Sequence, residues 1–244
     1  MTINKMLIND LVLKITEDNK NVLFVDTCCV LDVLRCLTMQ KIDLIKNIYK
    51  ITEEFEKNEN NFLIVFASAI FKEYQKNIET VKLEVENYCK KLFVDINNFS
   101  TLNEIVYKNK LNIYNLSNRN FPEILSKKTQ DILKYGIHIE LDEKNEQEIF
   151  KKVNFRICNL VPPSKKGKDS YSDCTIFEEF LLLGNYLHKN GFDKKIIFCS
   201  SNLKEYFEDN KVNKYIEQEV DKINGVVLKS IDIGYYDLIS RDNL

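Results

Sequence analysis

Short apolar runs alternate along this chain with longer stretches whose apolar residues recur every three or four positions. Residues 22–26 (VLFVD), 62–66 (FLIVF) and 196–199 (IIFC) carry almost no polar residue, the pattern of strands buried on both faces of a parallel sheet. Residues 28–37, with apolar positions 30, 31, 33, 34 and 37, suit a helix. Residues 40–58 place Ile42, Leu44, Ile45, Ile48, Ile51 and Phe55 at helical spacing and end in the polar loop EKNENN. From ASAIFKEY onward, positions 71, 74, 78, 81, 85, 88 and 92 alternate by three and four without a slip, which predicts a long amphipathic helix. Residues 95–165 read as several helices with polar breaks, an expected helical insertion or lid, and VPPSKKGK (161–168) is a loop punctuated by Pro and Gly. A helix over 170–189, another near 211–222 and a last strand at 226–228 complete the pattern.

Strands alternating with helices predict an α/β fold: three layers, α/β/α, around a central, mostly parallel sheet. With ~150 residues per domain as a guide, 244 residues make one domain over 1–244, with 95–165 inserted. In such sheets the ligand crevice lies beyond the carboxyl ends of the strands. That edge is where the chemistry-bearing residues fall.

Asp26 ends the first apolar run and Thr27 follows it. Either residue can cap the next helix, and a carboxylate there also faces the crevice. Glu73 sits in the first turns of the long helix, where the helix dipole alone would favour an acid. In KDSYSDCTIFEEFLLLG, helical steps from Asp173 reach Ile176, Phe177, Phe180, Gly184 and Leu187, so Asp173 lies on an otherwise apolar face. Burying a lone carboxylate is costly, so it calls for a partner such as a cation. Asp169 can cap this helix or lie near the same site, Glu179 lies on the flank, and Glu178 is rotated toward solvent. Past the third strand come Ser200, Ser201, Asn202 and Glu205, residues that also favour an ordinary strand-to-helix turn. Together these place oxygen donors after three strands, and hard cations such as Mg²⁺ and Mn²⁺ prefer oxygen.

Composition narrows the choices. Apolar residues make up 44% and charged residues 30%, as in an ordinary globular protein. The net charge of −2 supplies no global field for nucleic acid, so a nucleic-acid partner needs local patches such as SKKGK (164–168), DKK (193–195) or SKK (126–128). Short lysine runs are ordinarily solvated surface. Seven cysteines, an odd count with no CxxC, fit neither a zinc knuckle nor a disulfide framework and point to a reducing compartment. Cys28 and Cys29 are expected to pack as small hydrophobes, and Asp32 to be solvated or paired. The N-terminus lacks a signal-peptide core and no apolar run approaches the ~20 residues of a membrane span, so a cytoplasmic protein is expected.

Four segments in order, VLFVDTCCVLDVLR, FLIVFASAIFKEY, DSYSDCTIFEEFL and IIFCSSNLKEYF, resemble the PIN domain, a family of metal-dependent nucleases acting mostly on RNA. They cover roughly 21–95 and 165–210. The resemblance implies that Asp26, Glu73 and Asp173 hold Mg²⁺ or Mn²⁺. It also implies that Glu205 is a further catalytic acid and that Asn202 stands where many members have Asp. It implies hydrolysis of single-stranded RNA, with DNA left open, to a 5′-phosphate and a 3′-hydroxyl. Thr27 and Ser201 would orient waters or the phosphate, and Lys165, Lys166 and Lys168 would touch backbone phosphates. The resemblance leaves room for a homodimer or an inhibitory protein partner. Two other readings start from the same residues. One is a PIN-like binding module with a weakened site. The other is a haloacid-dehalogenase-type phosphatase, which wants a second carboxylate where this chain has Cys28.

Overall fold

The computed structural model describes residues 3–108, 120–167 and 169–239. In chain order the elements are β1 (Asn4–Leu7), α1 (Ile8–Asp18), β2 (Asn21–Val25), α2 (Thr27–Arg35), α3 (Ile42–Lys57), β3 (Phe62–Phe66), α4 (Ile70–Tyr107), α5 (Phe121–Tyr135), β4 (Ile137–Glu140), α6 (Glu143–Asn159), α7 (Tyr171–Lys189), β5 (Ile196–Cys199), α8 (Leu203–Tyr206), β6 (Phe207–Glu208), β7 (Lys211–Val212), α9 (Lys214–Asp221), β8 (Gly225–Leu228) and α10 (Ile231–Ile239). Six strands form one sheet in the order β1-β4-β3-β2-β5-β8, and every neighbouring pair is parallel. β6 and β7 form a separate antiparallel pair.

The three apolar runs are the central strands, buried throughout because helices cover both faces. Their side chains alternate between two cores. Val22, Phe24 and Phe198 face the side of α1, α6, α7 and α9, and Leu23, Val25 and Ile197 face that of α2, α3, α4, α5 and α10. On the first side, Phe24, Phe180 and Phe198 meet with ring centroids 5.0–5.9 Å apart, which locks α7 onto the sheet. Among the described residues no helix is long and apolar enough to cross a membrane.

The structure adds to the expected elements. The long helix continues to Tyr107, well past position 92. Residues 95–165 supply helices, as expected, and also the strand β4, paired between β1 and β3. Among the described residues of 95–165, the distal part of α4 exposes Phe99, Leu102 and Ile105. α5 packs against α2, α3 and α4. The chain does not close on the last sheet strand, since α10 follows it and packs on α3.

Glu178 is not solvated. It is 4% exposed and accepts a 2.5 Å bond from Nε of Arg156, itself buried. Nη2 of Arg156 donates to both oxygens of Glu219 at 2.9 Å, and Nη1 donates to the Pro162 carbonyl. The guanidinium lies 5.0 Å from the Phe177 ring. One side chain thus joins α6, α7, α9 and the loop before α7. Removing it strands a buried carboxylate, so Arg156→Ala should lose about 3–5 kcal/mol in denaturant melts. A loss within error of zero would show that the pair holds nothing. A second test concerns the approach of β4 to β3. A Cβ on Gly136 would lie 2.2 Å from the Phe66 ring, so Gly136→Ala should cost about 1–3 kcal/mol in the same assay.

Candidate active site

β2 delivers Asp26 to the carboxyl edge of the sheet, where its N–H still bonds to the Cys199 carbonyl at 2.9 Å. Asp26 occupies the cap position of α2, yet its carboxylate makes no capping bond. Instead Oδ2 accepts from Ser200 Oγ at 2.6 Å and from Cys28 Sγ at 3.0 Å. The side chain is 3% exposed. Burial pushes its pKa up from 3.8 to about 6, the two hydrogen bonds oppose that, and the charges of Asp173 and Glu73 add to it.

Glu73 lies in the first turn of α4, half-buried. Its Oε2 accepts from Thr27 Oγ1 at 2.8 Å and from Ser172 Oγ at 3.0 Å. Asp173, in the first turn of α7, accepts from Asn202 Nδ2 at 3.0 Å, and its carbonyl accepts from the buried Tyr206 hydroxyl at 3.1 Å. The turns after β2, β3 and β5 and the start of α7 therefore meet, and Asp26, Thr27, Glu73, Asp173 and Asn202 fall together.

Several expected roles change. Cys28 is not a mere packing residue, because its thiol touches Asp26 and accepts from the Ser201 N–H at 3.2 Å. Burial raises its pKa well above the usual thiol range, which keeps it a neutral donor. Cys29 does pack in the core. Ser200 reaches Asp26 through its hydroxyl. Asp32 is buried, with Arg35 3.9 Å away. Glu205 is buried on α8, one turn past Asn202. Asp169 is exposed and accepts from the Tyr171 N–H at 3.2 Å, so it takes the capping role. Lys165 and Lys166 are exposed just ahead of it, and Lys168 lies outside the described residues.

Glu179, weak on sequence grounds, has a defined place. It is fully buried and accepts from the Ser68 N–H at 2.7 Å and from Ser68 Oγ at 2.5 Å. Those bonds anchor the turn that leads into α4 and Glu73. Burial pushes its pKa up to about 7. Nothing local marks Ser68 or Ser172 as site residues, because each acts on an acid brought near only by folding.

By donor type the carboxylates suit a hard divalent cation. Among the described residues, however, no three His, Cys, Asp or Glu side chains converge closely enough to hold one. Asp26 and Glu73 each point an oxygen at neutral hydroxyl or thiol donors.

The raised pKa of Asp26 has a sign. Between about pH 4 and 6 the folded chain keeps a proton that the unfolded chain has lost, so stability falls as pH rises through that window. Asp26→Asn removes the charge, so at neutral pH without divalent cation it should be more stable than wild type by about 1–3 kcal/mol. The gain should vanish below about pH 4. Chemical denaturation across pH measures both, and a less stable variant at neutral pH would contradict the buried-charge account. Comparison with known proteins gives no match, whether against family models, curated sequences or solved structures.

Proposed function

We propose that this chain is a divalent-metal-dependent nuclease, an endoribonuclease of PIN type that hydrolyses phosphodiester bonds of single-stranded RNA. One observation carries the reading. Three carboxylates from three separate segments lie at the carboxyl edge of a parallel sheet, linked through their neighbours: Thr27 and Ser172 both donate to Glu73, Ser200 donates to Asp26 and Asn202 donates to Asp173. Like charges are brought together at a cost, which a bound cation would offset.

Asp26, Glu73 and Asp173 would hold Mg²⁺ or Mn²⁺, which supplies charge to polarise a phosphoryl oxygen and acidify a water. The other residues position. Ser200 and Cys28 orient Asp26, Thr27 and Ser172 orient Glu73, and Asn202 orients Asp173. Exposed Lys165 and Lys166, ahead of α7, offer positive charge to the phosphate backbone. Glu205 stays one turn from Asn202 as a further acid of the edge.

A second reading has its own support. The lack of three converging ligands among the described residues favours a PIN-like module that binds RNA without cutting it. The phosphatase reading loses ground, since the group two residues after Asp26 is a thiol donating to it rather than a second carboxylate.

Labelled single-stranded RNA, incubated with Mn²⁺ or Mg²⁺, separates these. Wild type should cleave, and Asp26→Asn, Glu73→Gln and Asp173→Asn should each lose about 100-fold or more, at least what groups that only orient ligands contribute. Equal rates for all four proteins would remove the assignment. Tight RNA binding with no cleavage would establish the binding module.

A further inference from the structure

A groove of about 380 Å³, in the size range of small-ligand sites, runs from Ser68 to Phe150 and Tyr171. It opens at the carboxyl ends of β3 and β4, between the first turns of α6 and α7. Two aromatic residues line it, Phe150 (55% exposed) and Tyr171 (44% exposed). Polar groups line it too: Glu146 and Gln147 on α6, and Thr175 on α7. At one end the buried Glu179 carboxylate holds Ser68.

The groove shares its supports with the acids. Tyr171 is followed directly by Ser172 and Asp173, and Ser172 bonds to Glu73. Ser68 begins the turn that ends in Glu73. Tyr171, Thr175 and Glu179 are spaced by four and form one stripe of α7. The groove and the acids thus share the turn from β3 into α4 and the start of α7.

We propose that the groove is a nucleobase subsite that takes an unstacked guanine. Single-stranded recognition works by stacking splayed bases on aromatic rings and bonding their edges. Phe150 and Tyr171 offer the rings. The exposed Glu146 carboxylate offers two acceptors side by side, matching the adjacent N1–H and N2–H of guanine, a charge-assisted pair. Adenine, cytosine and uracil lack two adjacent donors on that edge. The inference rests on the nuclease reading only for the source of the strand.

The test uses labelled pentauridylate and its versions with one central G, A or C, followed by fluorescence anisotropy without divalent cation. The guanine oligonucleotide should bind about 10-fold tighter than the rest. Glu146→Gln and Phe150→Ala should each bring it to the level of the others, with melting curves confirming that both fold. Phe155→Ala, exposed elsewhere on α6, should keep the preference. No preference in wild type, a different preferred base, a preference surviving both groove variants, or no binding at all would each overturn the subsite. Cleavage of pentauridylate with Mn²⁺ is scored separately. A guanine preference without any cleavage keeps the subsite and removes the nuclease, whereas cleavage without base preference does the reverse.

Discussion

The structure turns on the burial of charge at one sheet edge. Asp26 is almost wholly excluded from water while two other carboxylates act on it. What makes this tolerable is a set of neutral donors, each lying next to an acid or in an adjoining turn. Thr27, beside Asp26, serves Glu73, and Ser172, beside Asp173, serves Glu73 as well. Ser200 serves Asp26, and Asn202 serves Asp173. The acids are thus stitched to one another through their neighbours rather than through direct contact. These four donors are neutral, so they hold the acids in place without discharging them.

The rest of the fold makes that edge rigid. All six sheet strands run the same way, so the turns that follow them gather on one side. The interleaved rings of Phe24, Phe180 and Phe198 fix α7 on the sheet, and so set where its first turn presents Asp173. Arg156 holds α7 from the other direction, through Glu178, and binds the preceding loop and α9 in the same gesture. That ion cluster sits in the helical layer, so the charge it buries is paired with cationic nitrogen.

Glu179 shows how closely support and site are joined. Its two bonds to Ser68 define the turn from β3 into α4. The same helix stripe forms a wall of the adjoining groove. A carboxylate that reads as an ordinary flank residue therefore shapes both the position of Glu73 and the cleft beside it.

Much of this was legible in sequence because burial on both faces of a sheet leaves unbroken apolar runs. VLFV, FLIVF and IIFC announce the three central strands, and the acids just beyond them follow from where parallel strands end. β4 was hidden because four residues with a buried histidine, its ring tilted against Phe66 with centroids 4.9 Å apart, leave no apolar run. β1 was hidden because it is a largely exposed edge strand. The partners of the acids could not be read at all. Thr27 and Glu73 are 46 residues apart, Ser172 and Glu73 are 99 apart, and Ser200 and Asp26 are 174 apart. Glu178 was misread for the same reason, since its periodicity carries no trace of Arg156, 22 residues away. Sequence by itself determined the layers, the central strands and the three candidate acids, because local periodicity and strand ends encode them. Only the tertiary structure decided which hydroxyl, thiol and amide each acid faces, because those hydrogen bonds form between segments that local pattern does not connect.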